Sequence, residues 1–207
     1  MTLTILERVS SYNVQFARFP RSRLNWTDTP DGHCLDGIWM LGNDYRKKSG
    51  PAFYGSYPGN YLERVMTLFP DAERVMHLFS GSLPAGDYTR VDLNDQADVK
   101  MDAHHLSRLN RWELIQPPPY DLILADPPYS TEDAAKYGTP MIRRKVVLQE
   151  CAKILEPGGF LVWLDVQIPS WRKKDFRCVG VIGLITSAGH RGRFVSLFEK
   201  ARNDDND

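Results

Sequence analysis

The chain has 207 residues, 26 Lys plus Arg against 26 Asp plus Glu, 42% hydrophobic content and a mean hydropathy of -0.41. That length can bury one substantial core, while zero net charge gives no general attraction to nucleic acid. No apolar run approaches the roughly 20 residues of a membrane span, and without a signal-peptide pattern at the amino terminus a cytoplasmic protein is expected.

Cys34, Cys151 and Cys178 are far apart and lack Cys-x-x-Cys spacing, which suggests neither a disulfide framework nor a structural zinc site. The adjacent pairs His33-Cys34 and His104-His105 point apart in most backbones and do not suggest a metal site. The charge is unevenly spread. Residues 61–140 carry 7 basic against 13 acidic side chains, residues 1–60 carry 7 against 5, and residues 141–207 carry 12 against 8. The basic excess at the two ends could form the walls of a nucleic-acid groove around an acidic centre, although any single cluster could equally be a solvated helix face.

In chain order, residues 2–19 have a mixed, strand-like pattern with Val14, Phe16 and Phe19 among polar residues, and 27–32 is rich in turn residues. Residues 37–42 form a short apolar piece bounded by glycines. The run Arg46-Lys47-Lys48-Ser49-Gly50 and the aromatics Phe53, Tyr54 and Tyr57 interleave phosphate-binding and base-stacking side chains. Residues 1–56 therefore read as an amino-terminal arm or cap. It either handles substrate or, through Trp39, Phe53 and Tyr57, caps a sheet. Residues 61–69 predict an amphipathic helix with Leu62, Val65, Met66 and Phe69 on one face, stopped by Pro70.

Strand signals follow at 74–79, 88–93 and 99–103, each running into a polar end. Only eight residues, 80–87, separate the first two, and they include Pro84 and Gly86. A parallel crossover usually needs about a dozen residues and a helix, so this one is expected to be a clipped loop or a single turn. The apolar run 120–125 predicts a buried strand ending in Asp126-Pro127-Pro128-Tyr129. Open α/β sheets bind ligands just beyond the carboxyl ends of their strands.

An ionised Asp126 offers only acceptors, and Pro127 offers a carbonyl without a backbone N–H. The two prolines hold these acceptors in place. Such a notch can grip both hydrogens of a planar amino group and draw its lone pair away from the ring, while Tyr129 stacks on the heterocycle. Standing alone, the tetrapeptide also reads as a turn after a strand. Residues 130–140 are polar and suggest a flap over the site. A helix over 141–155, a Pro-Gly-Gly turn and a buried strand at 160–164 come next. Two strands, 176–186 and 193–200, then form a reversed hairpin, and 203–207 is an acidic tail.

With its Asp-Pro-Pro-Tyr tetrapeptide, the stretch Phe79-Ser80-Gly81 after a strand, and acidic residues at three strand ends, the chain resembles the class I S-adenosylmethionine-dependent amino-methyltransferases. The likeness is greatest to the N6-adenine DNA methyltransferases and, in its compactness, to phage-encoded ones. The resemblance spans residues 57–200, taken as the catalytic domain, with 201–207 as a disordered tail. It implies an α/β, Rossmann-like fold whose sheet is mostly parallel with one antiparallel strand near the carboxyl terminus. It also implies catalytic roles for Asp126, Pro127, Pro128 and Tyr129. S-Adenosylmethionine would be held by Phe79, Ser80, Gly81, Asp92, Asp102, Ala103 and Asp126, with Asp92 on the ribose hydroxyls and Asp102 on the adenine amine. Tyr57, Pro58 and Asn60 match the segment lining the methionine end only loosely.

The expected activity is methyl transfer to N6 of adenine in DNA, with nucleic acid as the partner. Alternatives are cytosine N4, an amine of RNA at guanine N2 or adenine N6, or a binding subunit that has lost catalysis. No insertion large enough for a target-recognition domain is present, so sequence specificity is expected to be short or supplied by a partner.

Overall fold

The computed structural model describes residues 3–19, 22–30, 32–41, 57–111, 118–186 and 192–202. Its centre is a nine-stranded sheet in the order β1-β2-β8-β9-β7-β6-β3-β4-β5. The strands are β1 (Leu24–Thr29), β2 (Gly32–Leu41), β3 (Val75–Leu78), β4 (Thr89–Asp92), β5 (Val99–Lys100), β6 (Tyr120–Ala125), β7 (Leu155–Asp165), β8 (Phe176–Thr186) and β9 (Gly192–Lys200). Helices α1 (Ile5–Gln15), α2 (Tyr61–Leu68), α3 (Thr131–Lys136) and α4 (Arg144–Ile154) pack around it, with 3-10 turns over Ala103–Arg111 interrupted at His105.

The sheet is mostly parallel, as expected. Strand β6 pairs in parallel with β3 and β7, and β3 with β4, whereas β9 runs antiparallel to both β7 and β8. This is an α/β, Rossmann-like sheet. Strand order reverses between β3 and β6, where Leu78 lies beside Ala125. The crevice beyond such a reversal is where open α/β sheets bind their ligands.

Alternation along the central strands explains why they lie at the middle. Leu122 and Leu124 of β6 join one core layer with Tyr12, Trp39, Tyr61 and Val65, while Ile123 and Ala125 join the opposite layer with Leu106, Val147, Cys151 and Trp163. Side chains alternate across a strand, so a run that is apolar at every position is buried on both faces. At about 25 cal/mol per Å2, each large aliphatic side chain buried there contributes about 2 kcal/mol relative to an exposed one.

Two parts of the amino-terminal region differ from the sequence-based expectation. Residues 5–15 are helical, not strand-like. A capping box starts α1, with the Thr4 hydroxyl accepting from the Glu7 N–H while the Glu7 carboxylate accepts from the Thr4 N–H. Its inward face includes a charged residue, which hides the helical period. Arg8 is buried, donates to both oxygens of Asp71 at 2.6 and 2.9 Å, and lies between the Phe69 and Phe160 rings. The second difference is that β1 and β2 form an antiparallel hairpin whose second strand extends the sheet by pairing in parallel with β8. A second reversed strand, β1, therefore joins β9. The stretch 46–50 and Phe53 lie outside the described residues, as does the tail 203–207.

The remaining elements follow their signals closely. Residues 79–88 contain no helix, so the clipped crossover is a loop. Helix α4 starts at Arg144 and hands over directly to β7, which begins at Leu155 rather than after the Pro-Gly-Gly turn. Strand β7 shifts register against β6 between Tyr120 and Leu122. At that point a side chain on Gly159 would come within 3.2 Å of the Tyr120 and Asp121 carbonyl oxygens. Among the described residues no helix is long and apolar enough to cross a membrane.

Candidate active site

A cleft of about 730 Å3 opens over the carboxyl ends of β3, β4, β5 and β6. Its size is ordinary for a site holding a nucleoside-sized ligand and part of a second molecule. Asp126 to Tyr129 form one end of it, and Asp92 and Asp102 line the other.

At the β6 end, the Asp126 N–H donates to the Leu78 carbonyl at 3.4 Å, which ties the turn back to β3. The Tyr129 hydroxyl donates to Asp126 Oδ1 at 2.5 Å. Burial pushes the Asp126 carboxyl up to about 7. The bond from Tyr129 and the positive charge of Arg193 work against the rise, and the neighbouring Asp165 charge adds to it. Burial, followed by the Asp126 charge, raises the Tyr129 hydroxyl far above its usual range and keeps it a neutral donor. Asp126 is thus an acceptor that also takes up a proton near neutral pH.

Three residues that the sequence reading missed support this turn from behind. Asp165, at the end of β7, is fully buried. Its Oδ2 accepts from Arg144 Nε at 2.6 Å and from the Trp163 indole at 3.1 Å, while Oδ1 accepts from Arg144 at 3.1 Å and from the Val166 N–H at 2.7 Å. Arg144, fixed in this way, also donates to the Tyr129 carbonyl at 3.1 Å. Such a two-pronged pair fixes direction as well as distance. On the other side, the Arg193 guanidinium lies 5.0 Å from the centre of the Tyr129 ring, within cation–π range. Asp165 was open to detection, since it is another acid closing an apolar strand. Arg144 and Arg193 come from distant segments and carry no local signal.

The opposite end is held by hydrogen bonds between its loops. Phe79 and Gly81 have positive φ, 59° and 53°, so the chain after β3 turns sharply. That conformation suits Gly81 and strains Phe79. Asp92 Oδ2 accepts from the Gly81 N–H at 2.9 Å and Oδ1 from the Asn94 N–H at 3.0 Å, while the Asn94 side chain donates to the Gly81 carbonyl at 3.1 Å. A carboxylate has about four acceptor positions, so two remain for a pair of vicinal hydroxyls.

Asp102 Oδ1 accepts from the His104 N–H at 2.9 Å and is 2.6 Å from His104 Nδ1, and His104 Nε2 accepts from the Arg143 N–H at 3.0 Å. With Nε2 accepting, Nδ1 is the ring nitrogen that faces Asp102 with a hydrogen. Burial acts to raise the Asp102 carboxyl, but the two His104 donors prevail and hold it below its usual range. Its Oδ2 remains available to accept from an amino group. The donor and acceptor set thus fits the ribose and adenine parts of S-adenosylmethionine, with Ala103 and Met101 supplying apolar wall.

Of the residues singled out by sequence, Asp126, Pro127, Pro128, Tyr129, Phe79, Gly81, Asp92, Asp102 and Ala103 all line the one cleft. Ser80 does not. It is buried, with a hydroxyl that has no partner. Tyr57 stacks on Tyr61 at 5.3 Å beneath the sheet end and approaches His77 Nδ1 at 3.2 Å; it is not part of the cleft wall, and neither are Pro58 and Asn60. The segment 130–140 forms the remaining wall. Ser130 caps α3 by accepting from the Asp133 N–H, and Tyr137, Thr139 and Pro140 face the cleft. Among the described residues no cluster of His, Cys, Asp or Glu could hold a metal ion.

No protein-family model matches the chain, and no curated protein does. Solved structures resemble it at low identity. TrmN from Thermus thermophilus aligns over 71% of this chain and 50% of its own, with 17% identity and a TM-score of 0.49. The chain thus spans half the length of TrmN. N-methyltransferase NodS from Bradyrhizobium japonicum, in complex with S-adenosyl-L-homocysteine, aligns over 63% of this chain and 79% of its own, with 11% identity and a TM-score of 0.41. An rRNA methylase from Streptococcus thermophilus aligns over 63% and 88%, with 10% identity and a TM-score of 0.37.

Proposed function

We propose that this protein is an S-adenosylmethionine-dependent methyltransferase that modifies an exocyclic amine of a nucleobase, N6 of adenine in DNA. One observation carries the reading: the acceptor notch of Asp126 and Pro127 opens onto the same cleft as Asp92 and Asp102, which suit a nucleoside-bearing cofactor. When bound, S-adenosylmethionine supplies an electrophilic methyl group on a sulfonium.

The chain's own groups then have distinct tasks. Asp126 and the Pro127 carbonyl accept from the two amine hydrogens and orient the nitrogen lone pair. A base turned out of its stack lies against Tyr129. Methylation of the amine nitrogen would release one of its protons. Asp126, with a carboxyl near 7, is suited to take it. Alignment of the two bound partners supplies much of the rate, as in other reactions made effectively intramolecular.

The test is incubation with labelled cofactor and DNA, RNA or protein, followed by mass spectrometry of the modified nucleosides. Label in N6-methyl-2′-deoxyadenosine of DNA is the expected result. Label confined to guanosine or cytidine overturns the adenine reading, and no transfer to any nucleic acid overturns the nucleobase reading.

A further inference from the structure

We infer that Arg193 is a phosphate-binding residue, which grips a backbone phosphate of the target nucleotide while its base lies in the Asp126 notch. This rests on the proposed function and narrows its substrate to phosphate-bearing nucleic acid, as opposed to a free base, a nucleoside or a small-molecule amine.

The first ground is position. Arg193 stands near the start of β9, two strands beyond β6 on the β7 side, whereas Asp92 and Asp102 belong to β4 and the end of β5 on the other side of β6. Asp126 lies between the two groups, so Arg193 is on the target side of the reacting atoms and not the cofactor side. It nevertheless lines the same cleft.

The second ground is unused hydrogen-bonding capacity: the Arg193 charge acts on Asp126 at a distance, without a bond to it. Among the described residues no acceptor bonds the Arg193 guanidinium, and its Nε is buried without a partner. The other basic side chains of this region are occupied: Arg144 is bound to Asp165 and the Tyr129 carbonyl, and Lys136 pairs with Asp133 at 3.1 Å. A cation on the open surface is satisfied by water, but a half-enclosed one with an orphaned N–H is disfavoured until an acceptor arrives. The third ground is orientation. The Tyr129 ring, 5.0 Å away, holds the guanidinium beside the notch by cation–π attraction. A planar fork held in this way matches two phosphate oxygens, which is why arginine is favoured at phosphates.

The experiment measures methyl transfer by the full chain to a single-stranded oligonucleotide and to adenosine over a series of NaCl concentrations. It compares the natural protein with Arg193→Met and Arg193→Lys, with thermal melts to confirm folding. The natural protein should favour the oligonucleotide over the nucleoside by at least a hundredfold in kcat/KM. Arg193→Met should shrink that preference at least tenfold, mainly through KM, and reduce the salt slope of oligonucleotide binding by about one. Arg193→Lys should recover most of the preference.

Equal losses on oligonucleotide and nucleoside with an unchanged salt slope would overturn the inference, leaving Arg193 a role confined to Tyr129 and Asp126. An unaffected Arg193→Met variant would overturn it as well. If the natural protein binds S-adenosylhomocysteine yet methylates neither substrate, the proposed function fails and takes this inference with it, an outcome distinct from either of the others.

Discussion

The two ends of the cleft are built on different principles. Around Asp126 a buried ion pair, a backbone-directed arginine and a tyrosine hydroxyl all converge on one turn. Around Asp92 a helix-free loop is held by hydrogen bonds to one carboxylate and one asparagine, by backbone bonds to Val91 and by Arg90 on the Leu83 carbonyl. The first end is stiff before anything binds, as a site that must align a nucleophile requires. The second needs only to hold a diol and an amine. The lesson is that the buried ion pair is placed where bonds change.

The comparison breaks if Asp126 is dispensable. Asp126→Ala should lower kcat by at least about a hundredfold, with S-adenosylhomocysteine affinity by calorimetry within threefold; transfer retained within tenfold would remove the carboxylate from its role. Asp165→Asn tests the stiffness itself. It leaves Arg144 without its buried counter-charge, which should cost about 3 kcal/mol in urea unfolding and lower kcat more than it changes cofactor affinity. An equal loss at both ends of the cleft would mean that Asp165 supports the fold at large.

At the other end, Asp92→Ala releases the Gly81 and Asn94 N–H groups together and should weaken S-adenosylhomocysteine binding about tenfold or more, roughly 1.4 kcal/mol. Asp102→Asn should have a smaller effect.

The pH profile sharpens the contrast. Asp126 sits near 7 in the folded protein against about 3.9 when unfolded. Its ionised form is therefore the disfavoured one in the fold, and between those values the native state holds the extra proton. Its contribution to stability is present below about 4 and is lost as pH rises toward 7. Accepting the amine requires the ionised form, so kcat/KM should rise with pH through an apparent pKa near 7. Asp126→Asn should flatten the stability profile over that window; an unchanged slope would assign the titration to another group. The smallest effect is expected from Gly81→Ala, which places a side chain at φ 53° and should destabilise by about 1 kcal/mol, with weaker cofactor binding as its main symptom.

Much of this was legible in the sequence because it is local. The doubly apolar run 120–125, the tetrapeptide after it and the acids closing β4 and β6 are each contiguous. The clipped crossover could be counted directly. What escaped depends on partners far along the chain. Arg8 makes the inward face of α1 polar, so the period of a helix is masked until Asp71 and the two phenylalanine rings are seen around it. Arg144 and Asp165 lie 21 residues apart and meet only because α4 leads back along β7. Ser80 is the opposite case: its place in a motif suggested a ligand contact, and the turn sends its side chain inward. The pairing of β2 with β8 likewise lies beyond local reading, since a hairpin at one end of the sequence joins the sheet beside strands from the other.

Because the Asp92 carboxylate already joins the turn after β3 to the bend after β4, a diol arriving there would bind an oxygen pair that two loops share. Occupancy should accordingly slow amide hydrogen exchange at Gly81 and Asn94 together, although they belong to separate segments. The same linkage means that loosening either loop is felt by the other as a change in ligand lifetime.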